Sequence, residues 1–174
     1  GGDSEKAYTA GLIHDIMRYE PAEKMLELIR NDGQNLTESE KNITVTLHAI
    51  AGEIYLRKEL NVTDKDILSA VRWHTTGKED MSLLEKIIYV ADLTSEDREY
   101  PDILEVRAMA EESLEKTCLR GLSFTIEDNA KKSNQNINQI LEPFKAQLNI
   151  FGNRVNEVFT EEPKQRSSLL TEIK

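Results

Sequence analysis

The chain has 174 residues, of which 39% are apolar, and this suits one domain with a short appendage. Its 22 Lys and Arg against 32 Asp and Glu give a formal net charge of -10, which disfavours sequence-independent binding of DNA or RNA. We therefore expect no nucleic-acid partner. No apolar run has transmembrane length and the first residues do not resemble a signal peptide, so we expect no membrane association. A single cysteine, Cys118, excludes an internal disulfide and suits the reducing cytoplasm.

Helical periodicity dominates the chain, strand signals are weak, and the pattern indicates an all-α fold. The pattern predicts one helix over residues 4–17. A second helix is predicted over 21–31, with Pro21 in its first turn. Residues 37–60 predict two helices or one broken helix, and "NITVTL" within them is the only β-branched run.

The middle of the chain shows clearer start and stop signals. A helix is predicted over 63–74, where Thr63 followed by Asp66 is close to a capping box. Gly77 is typical of the position that ends a helix. The stretch "SLLEKIIYVADL" is apolar at helical spacing and predicts a further helix over 82–93.

The composition changes near residue 132, after a helix pair that the pattern predicts over 101–124. The stretch "KKSNQNINQ" is amide-rich, and "TEEPKQRSSLLTEIK" is typical of a solvated tail. We therefore divide the chain into a domain at 1–131 and a C-terminal helical extension with a polar tail at 132–174.

The three histidines of the chain all have small or apolar neighbours at helical spacing. His14 follows small residues at three, four and seven positions earlier, and His48 precedes small residues at three and four positions later. His74 shares the apolar face of its helix. Asp15 lies beside His14, so the pair offers a nitrogen and an oxygen to one cation. The alternative for each is a core histidine, with Asp15 a surface carboxylate.

Asp92 lies on the apolar stripe of its predicted helix. A buried carboxylate is costly unless it is paired or binds a metal. Pairing with Arg72 or Lys86, or capping of the next helix, remains open. Together, the three histidines and two aspartates predict either a metal site of mixed nitrogen and oxygen ligands or a structural polar cluster. Imidazole suits zinc and iron, and carboxylate suits harder ions such as manganese.

The order of four motifs resembles the HD-domain superfamily. These are "AGLIHDI", "LHAIAGEIYLRKEL", "ILSAVRWHTTG" and "MSLLEKIIYVAD". Within that superfamily the chain is most similar to the YqeK-type symmetrical diadenosine tetraphosphatases, over about residues 5–110. The resemblance implies a helical HD-domain bundle with a dinuclear metal centre of the iron type, with manganese or zinc as alternatives. It also implies a dinucleoside tetraphosphate substrate, cleaved into two nucleoside diphosphates, and is compatible with a homodimer.

Site residues follow from the same resemblance. The metal ligands that it implies are His14, Asp15, His48, His74 and Asp92, with Asp15 bridging two cations. Such cations polarise a phosphoryl oxygen, lower the pKa of a bridging water and supply the positive charge that an acidic protein lacks. The catalytic residues that we predict are Asp15, Arg72 and Lys86, the last two as phosphate clamps. The predicted substrate-binding residues are Arg18, Arg98, Thr75, Thr76 and Gly77. The alternative for the clamps and the turn is helix-surface charge and ordinary helix termination.

One ligand of the family pattern has no counterpart. The family carries a further histidine on a helix before the HD helix, whereas His14 is the first histidine here. Three hypotheses follow: a longer natural protein, a ligand from another chain or water, or a degenerate centre that binds nucleotide or a partner without turnover. A related HD phosphohydrolase acting on another nucleotide is a further alternative.

Overall fold

The structure of the protein is a computed structural model that describes residues 2–36, 40, 46–78 and 80–133, with side chains up to residue 124. Within these residues the chain forms seven helices. They are α1 (Ser4–Ile13), α2 (Ala22–Asn31), α3 (Leu47–Lys58), α4 (Lys65–Trp73), α5 (Leu83–Thr94), α6 (Ile103–Glu112) and α7 (Leu114–Ser133). No strand occurs in the described part of the chain, so the all-α prediction is confirmed. None of these helices combines the length and the apolar character that crossing a bilayer requires.

Helices α4 and α5 form the centre of the bundle. They pack against each other and both contact α1, while α3 lies against α4, and α6 and α7 lie against α5. Ala10, Ile67, Ala70 and Ile88 form the apolar contact among α1, α4 and α5. Because α1, α3, α4 and α5 are held side by side, polar residues at their ends come within reach of one another.

Polar side chains determine where three of the helices begin. The carboxylate of Asp64 accepts hydrogen bonds from the backbone N–H groups of Asp66 and Ile67, so Asp64 is the N-cap of α4. The predicted capping box at Thr63 and Asp66 is therefore wrong. A capping box is present one helix later, at Ser82 and Glu85 of α5, where the Ser-x-x-Glu spacing was a readable signal. Asp3 caps α1 in the same way as Asp64 caps α4.

The predicted helix over 4–17 ends early. Helix α1 stops at Ile13, and the chain continues in short turns in which Ile16 N–H donates to Ile13 O (3.2 Å) and Arg18 N–H donates to Asp15 O (2.8 Å). These turns bring Met17 inward, where it is 2% exposed and packs with Met25 of α2 and with α3. Burial of that side chain favours the turns over a continued helix. His14 therefore lies at a helix end, directly followed by Asp15.

The remaining predicted boundaries agree with the structure to within a few residues. Pro21 immediately precedes α2. Gly77 ends the helical path of the backbone after α4, with φ at +64° and its N–H donating to Trp73 O at 2.8 Å. The predictions over 82–93 and 101–124 are confirmed as α5 and as the pair α6 and α7. Of the prediction over 37–60, α3 is observed, and residues 37–39 and 41–45 lie outside the described residues.

The proposed division of the chain near residue 132 stays a prediction. Residue 132 lies near the end of α7, and residues 134–174 are outside the described part of the chain.

Gly121 permits the close contact between α7 and α5. A Cβ atom on Gly121 would lie 2.6 Å from Leu93 Cδ2, closer than real Cβ atoms approach, and 3.0 Å from the Tyr89 ring, which is a tight contact. We expect Gly121→Ala to lower the free energy of unfolding by about 1–2 kcal/mol, because overpacking outweighs the better helix propensity of alanine. Urea denaturation measures this.

The matched control is Gly11→Ala, whose Cβ would meet only Ile88 Cδ1, at 4.0 Å. That variant should be as stable as the parent or more so. Equal stability changes in the two variants would contradict the packing argument.

Candidate metal centre

Five polar residues meet at the termini of four helices. His14 follows the last residue of α1, and Asp15 comes next in the chain. His48 is the second residue of α3, His74 is the C-cap of α4, and Asp92 lies in the last turn of α5. The structure therefore brings together all five residues that the family resemblance implied as ligands.

Asp15 lies at the centre of this cluster. Its Oδ1 atom is 3.1 Å from His48 Nε2 and 3.3 Å from His74 Nε2. Its Oδ2 atom is 3.6 Å from His14 Nε2. The two buried imidazoles also face each other, with 3.0 Å between His48 Nε2 and His74 Nε2. One carboxylate thus lies against three imidazoles.

Two of the imidazoles are oriented by the backbone. His14 Nδ1 donates to Gly11 O and His74 Nδ1 donates to Val71 O, both at 2.7 Å. Because a carbonyl oxygen only accepts, each Nδ1 carries the proton and the neutral ring presents a lone pair at Nε2. This is the tautomer that metal-binding histidines adopt, with the other nitrogen held by a second hydrogen bond.

The cluster fits a divalent cation. Asp15 Oδ1 is buried and makes no hydrogen bond within the described residues, although two imidazole nitrogens lie close to it. A buried carboxylate oxygen without a hydrogen bond is costly. At 3.0 Å, His48 Nε2 and His74 Nε2 either share one proton or both face a cation. Ligand atoms of His14, Asp15 and His74 all lie within 4.8 Å of one another. Imidazole and carboxylate are suitable ligands for zinc, iron and manganese.

The charges in the cluster keep its carboxylates ionised. Burial opposes ionisation of Asp15, but the imidazoles of His48 and His74, when protonated at Nε2, together with the nearby His14 and Arg18, outweigh it and hold its pKa well below the usual range. The pKa of Asp92 is also lowered, because the effects of His14 and Arg98 outweigh that of burial, which opposes ionisation. Ionised carboxylates are the forms that bind metals.

Asp92 is paired with Arg98. Arg98 Nη2 donates to Asp92 Oδ1 at 2.5 Å and Nε donates to Asp92 O at 3.0 Å, and His14 Nε2 lies 3.8 Å from Asp92 Oδ1. The side chain of Asp92 is 17% exposed, so it lies partly inside the fold as its position on the apolar stripe indicated. Its partner is not Arg72 or Lys86.

A cavity of about 420 Å³ opens beside the cluster. Arg18 and Arg98, both predicted to bind substrate, line it, and Arg18 Nη1 is 3.1 Å from Asp15 Oδ2. Tyr19 and Asp97 also line it and were missed, because neither interrupts an apolar run. The full lining is Gly11, His14, Asp15, Arg18, Tyr19, Ala91, Asp92, Ser95, Asp97 and Arg98.

Two predicted phosphate clamps lie elsewhere. The Arg72 guanidinium stacks 4.2 Å above the Trp73 ring, and its Nη2 is 3.4 Å from Glu40 Oε1. Lys86 Nζ is 2.9 Å from Glu115 Oε1, on the side of α5 that faces α7. Neither residue lines the cavity, and these contacts are those of structural ion pairs. Their catalytic roles stay predictions.

The turn over residues 75–77, which was predicted to bind substrate, directly follows His74. The Thr76 hydroxyl is buried and donates to Gly77 O at 3.1 Å. Thr75 Oγ1 is buried and makes no hydrogen bond within the described residues. None of the three lines the cavity, so a role of Thr75, Thr76 and Gly77 in substrate binding stays a prediction.

The end of α5 that carries Asp92 is fixed by residues the sequence did not single out. Arg107 of α6 donates to Thr94 O at 3.0 Å and to Ser95 O at 2.6 Å, and the Tyr100 hydroxyl donates to Leu93 O at 3.0 Å. A guanidinium at a helix C-terminus satisfies free carbonyls and complements the helix dipole. These bonds hold the segment that leads to Arg98.

The fold and this site define a helical metal-dependent hydrolase domain. Residues 1–97 match the HD domain family, and the chain belongs to that family. It is 36% identical to the symmetrical bis(5'-nucleosyl)-tetraphosphatase of Bacillus subtilis over 126 residues, 72% of this chain and 67% of that protein. It is also 36% identical to the protein of that name from Halalkalibacterium halodurans over 137 residues, 76% of this chain and 71% of that one.

A solved structure supports the same fold. A predicted HD superfamily hydrolase involved in NAD metabolism, from Clostridium acetobutylicum, superimposes with a TM-score of 0.76 at 36% identity. The match covers 85% of this chain and 78% of that one. The helical HD-domain bundle is thereby confirmed.

Proposed function

We propose that the chain is a metal-dependent hydrolase that splits diadenosine tetraphosphate symmetrically into two molecules of ADP. The observation that carries the proposal is the partly buried Asp15 carboxylate, which lies against three imidazole nitrogens on the wall of a cavity that two arginines also line. The names of the relatives supply the substrate class.

The metal ligands in this proposal are His14, Asp15, His48, His74 and Asp92. Asp15 directs one oxygen toward His48 and His74 and the other toward His14, so its carboxylate has the orientation to serve two cations. A divalent metal, iron in this proposal, supplies Lewis acidity toward a phosphoryl group and makes water more acidic near neutral pH.

The two cavity arginines bind the phosphates in this proposal. Arg18 and Arg98 contact Asp15 and Asp92, and these contacts direct both guanidiniums to the same region. A planar guanidinium suits bidentate binding of phosphate oxygens. Fixed positive charge at this point offsets the repulsion between a polyanionic substrate and a chain of net charge -10.

In the reaction one water is consumed. Its oxygen forms a bond to one of the two central phosphorus atoms, and the central P–O–P bridge breaks toward the other half. One ADP takes the water oxygen and the other keeps the bridging oxygen, and the two protons of the water are carried on the product phosphates or released. The chain's residues hold the phosphates and orient them for that attack.

The test is incubation of the full chain with ferrous iron and diadenosine tetraphosphate, followed by separation of the nucleotides. ADP as the sole product is expected. ATP plus AMP would overturn symmetrical cleavage. Absence of product with nucleotide still bound would favour a degenerate centre, and turnover of a guanosine alarmone or a deoxynucleotide alone would favour the related phosphohydrolase.

Homodimerisation stays a prediction in this proposal. Light scattering coupled to size-exclusion chromatography measures the mass of the particle and tests it directly.

A further inference from the structure

An aromatic side chain at the cavity has no partner in the described part of the chain. Tyr19 is 95% exposed, and its side chain makes no hydrogen bond or ring stacking contact within the described residues. It nevertheless lines the same cavity as Arg18, Asp15 and Arg98. A large aromatic ring left in water beside a polar cavity is available to a ligand.

The backbone that carries Tyr19 is well fixed. Two residues earlier, Met17 is 2% exposed in the core, and Glu20 N–H donates to Met17 O at 3.1 Å. Arg18 is held as well, through its N–H to Asp15 O at 2.8 Å. The ring is therefore presented from a firm turn and has only two side-chain torsions to order on binding, which keeps the entropy cost small.

The other walls of the cavity have a different chemistry. Charged side chains dominate the lining beside the metal cluster. They are three carboxylates and two guanidiniums, from Asp15, Asp92, Asp97, Arg18 and Arg98. Such walls suit metal and phosphates rather than a purine. A cavity of about 420 Å³ is also too small to enclose a dinucleoside tetraphosphate, so at least one base must lie at its open side.

We propose that Tyr19 is a substrate-binding residue on which one purine base of the substrate stacks while the phosphates reach Arg18 and Arg98. This assignment rests on the proposed function for the identity of the substrate. Stacking on an aromatic ring uses the π-face that every base has. It therefore predicts that the enzyme accepts adenine and guanine dinucleotides with similar KM.

The test compares Tyr19→Ala with Tyr8→Ala. Tyr8 is a matched control because it is 74% exposed on α1 and does not line the cavity. We expect Tyr19→Ala to raise KM for diadenosine tetraphosphate by roughly 5- to 100-fold, with a smaller change in kcat. Tyr8→Ala should leave both unchanged, and Tyr19→Phe should restore KM because it keeps the ring.

A ligand without a base separates stacking from a general disturbance of the site. Inorganic tripolyphosphate should inhibit the parent and Tyr19→Ala with the same inhibition constant. Equal KM in Tyr19→Ala and the parent, or a loss of tripolyphosphate inhibition as large as the change in KM, would overturn the assignment.

Calorimetric titration with ADP keeps this inference separate from the proposed function. If the chain hydrolyses nothing, the proposed function fails, yet the affinity for ADP still reports on stacking. Weaker ADP binding by Tyr19→Ala than by Tyr8→Ala would support the assignment, and equal binding would overturn it.

Discussion

Asp15→Asn is expected to abolish hydrolysis and to reduce the metal content of the purified protein. The amide keeps the shape of the side chain but removes the negative charge that faces His14, His48 and His74. Metal ions contribute several kcal/mol of transition-state stabilisation, so we expect kcat to fall by at least about 10³-fold. Steady-state assays with added ferrous iron, together with metal analysis, measure both effects.

Asp97→Asn is the control for charge alone. Asp97 lines the same cavity, but its Oδ1 accepts a hydrogen bond from the Ser95 hydroxyl at 2.5 Å and it lies outside the histidine cluster. It should keep metal binding and most of the activity. Full activity in Asp15→Asn, or an equal loss of activity in both variants, would show that Asp15 is not a required metal ligand.

Glu85→Ala is expected to cause the largest loss of stability among the changes considered. Glu85 is 2% exposed, accepts from Ser82 N–H at 2.7 Å and from the Ser69 hydroxyl, and lies 2.8 Å from Lys78 Nζ. Removing the carboxylate breaks the capping box and leaves buried donors unpaired. We expect the free energy of unfolding to fall by about 3 kcal/mol.

The control for Glu85→Ala is Glu23→Ala, since Glu23 lies in the first turn of α2 and is exposed. Its loss should be within about 0.5 kcal/mol. Denaturation by urea compares the two variants, and similar losses would show that the buried network around Glu85 contributes little.

The same network predicts a pH dependence. Burial opposes ionisation of Glu85, but Lys78, Ser69 and Ser82 outweigh it and lower its pKa below the usual value. A depressed folded-state pKa means that the stabilisation is complete above the ordinary glutamate pKa of about 4.3 and is lost as the pH falls through the lower value. The parent and Glu85→Gln should therefore differ less in their free energy of unfolding at about pH 3 than at about pH 5, because Glu85 becomes protonated over that range. A constant difference across that range would contradict it.

The sequence predicted the helices and the ligand candidates because both depend on local spacing. Asp92 on an apolar stripe and His74 on an inward face are visible from the residues alone. The end of α1 at Ile13 is not, because the apolar pattern continues through Met17 and only the packing of Met17 against α2 and α3 ends the helix. The capping box at Ser82 and Glu85 was visible as a spacing and was overlooked.

Contacts between distant elements account for what the sequence could not predict. The choice of Arg98 over Arg72 or Lys86 as the partner of Asp92 depends on the path of the chain after α5. The hydrogen bonds from Arg107 to Thr94 and Ser95 depend on how α6 packs. Periodicity shows which face a residue occupies but not which neighbour it meets.

Helix α5 is fastened at both ends, by the capping box at Ser82 and by Arg107 and Tyr100 at its last carbonyls. A helix that cannot fray from either terminus opens only when a larger unit of the protein opens with it. Amide protons along α5 should then exchange with solvent only through that larger opening. The carboxylate of Asp92 would thus lie on a slowly exchanging part of the bundle.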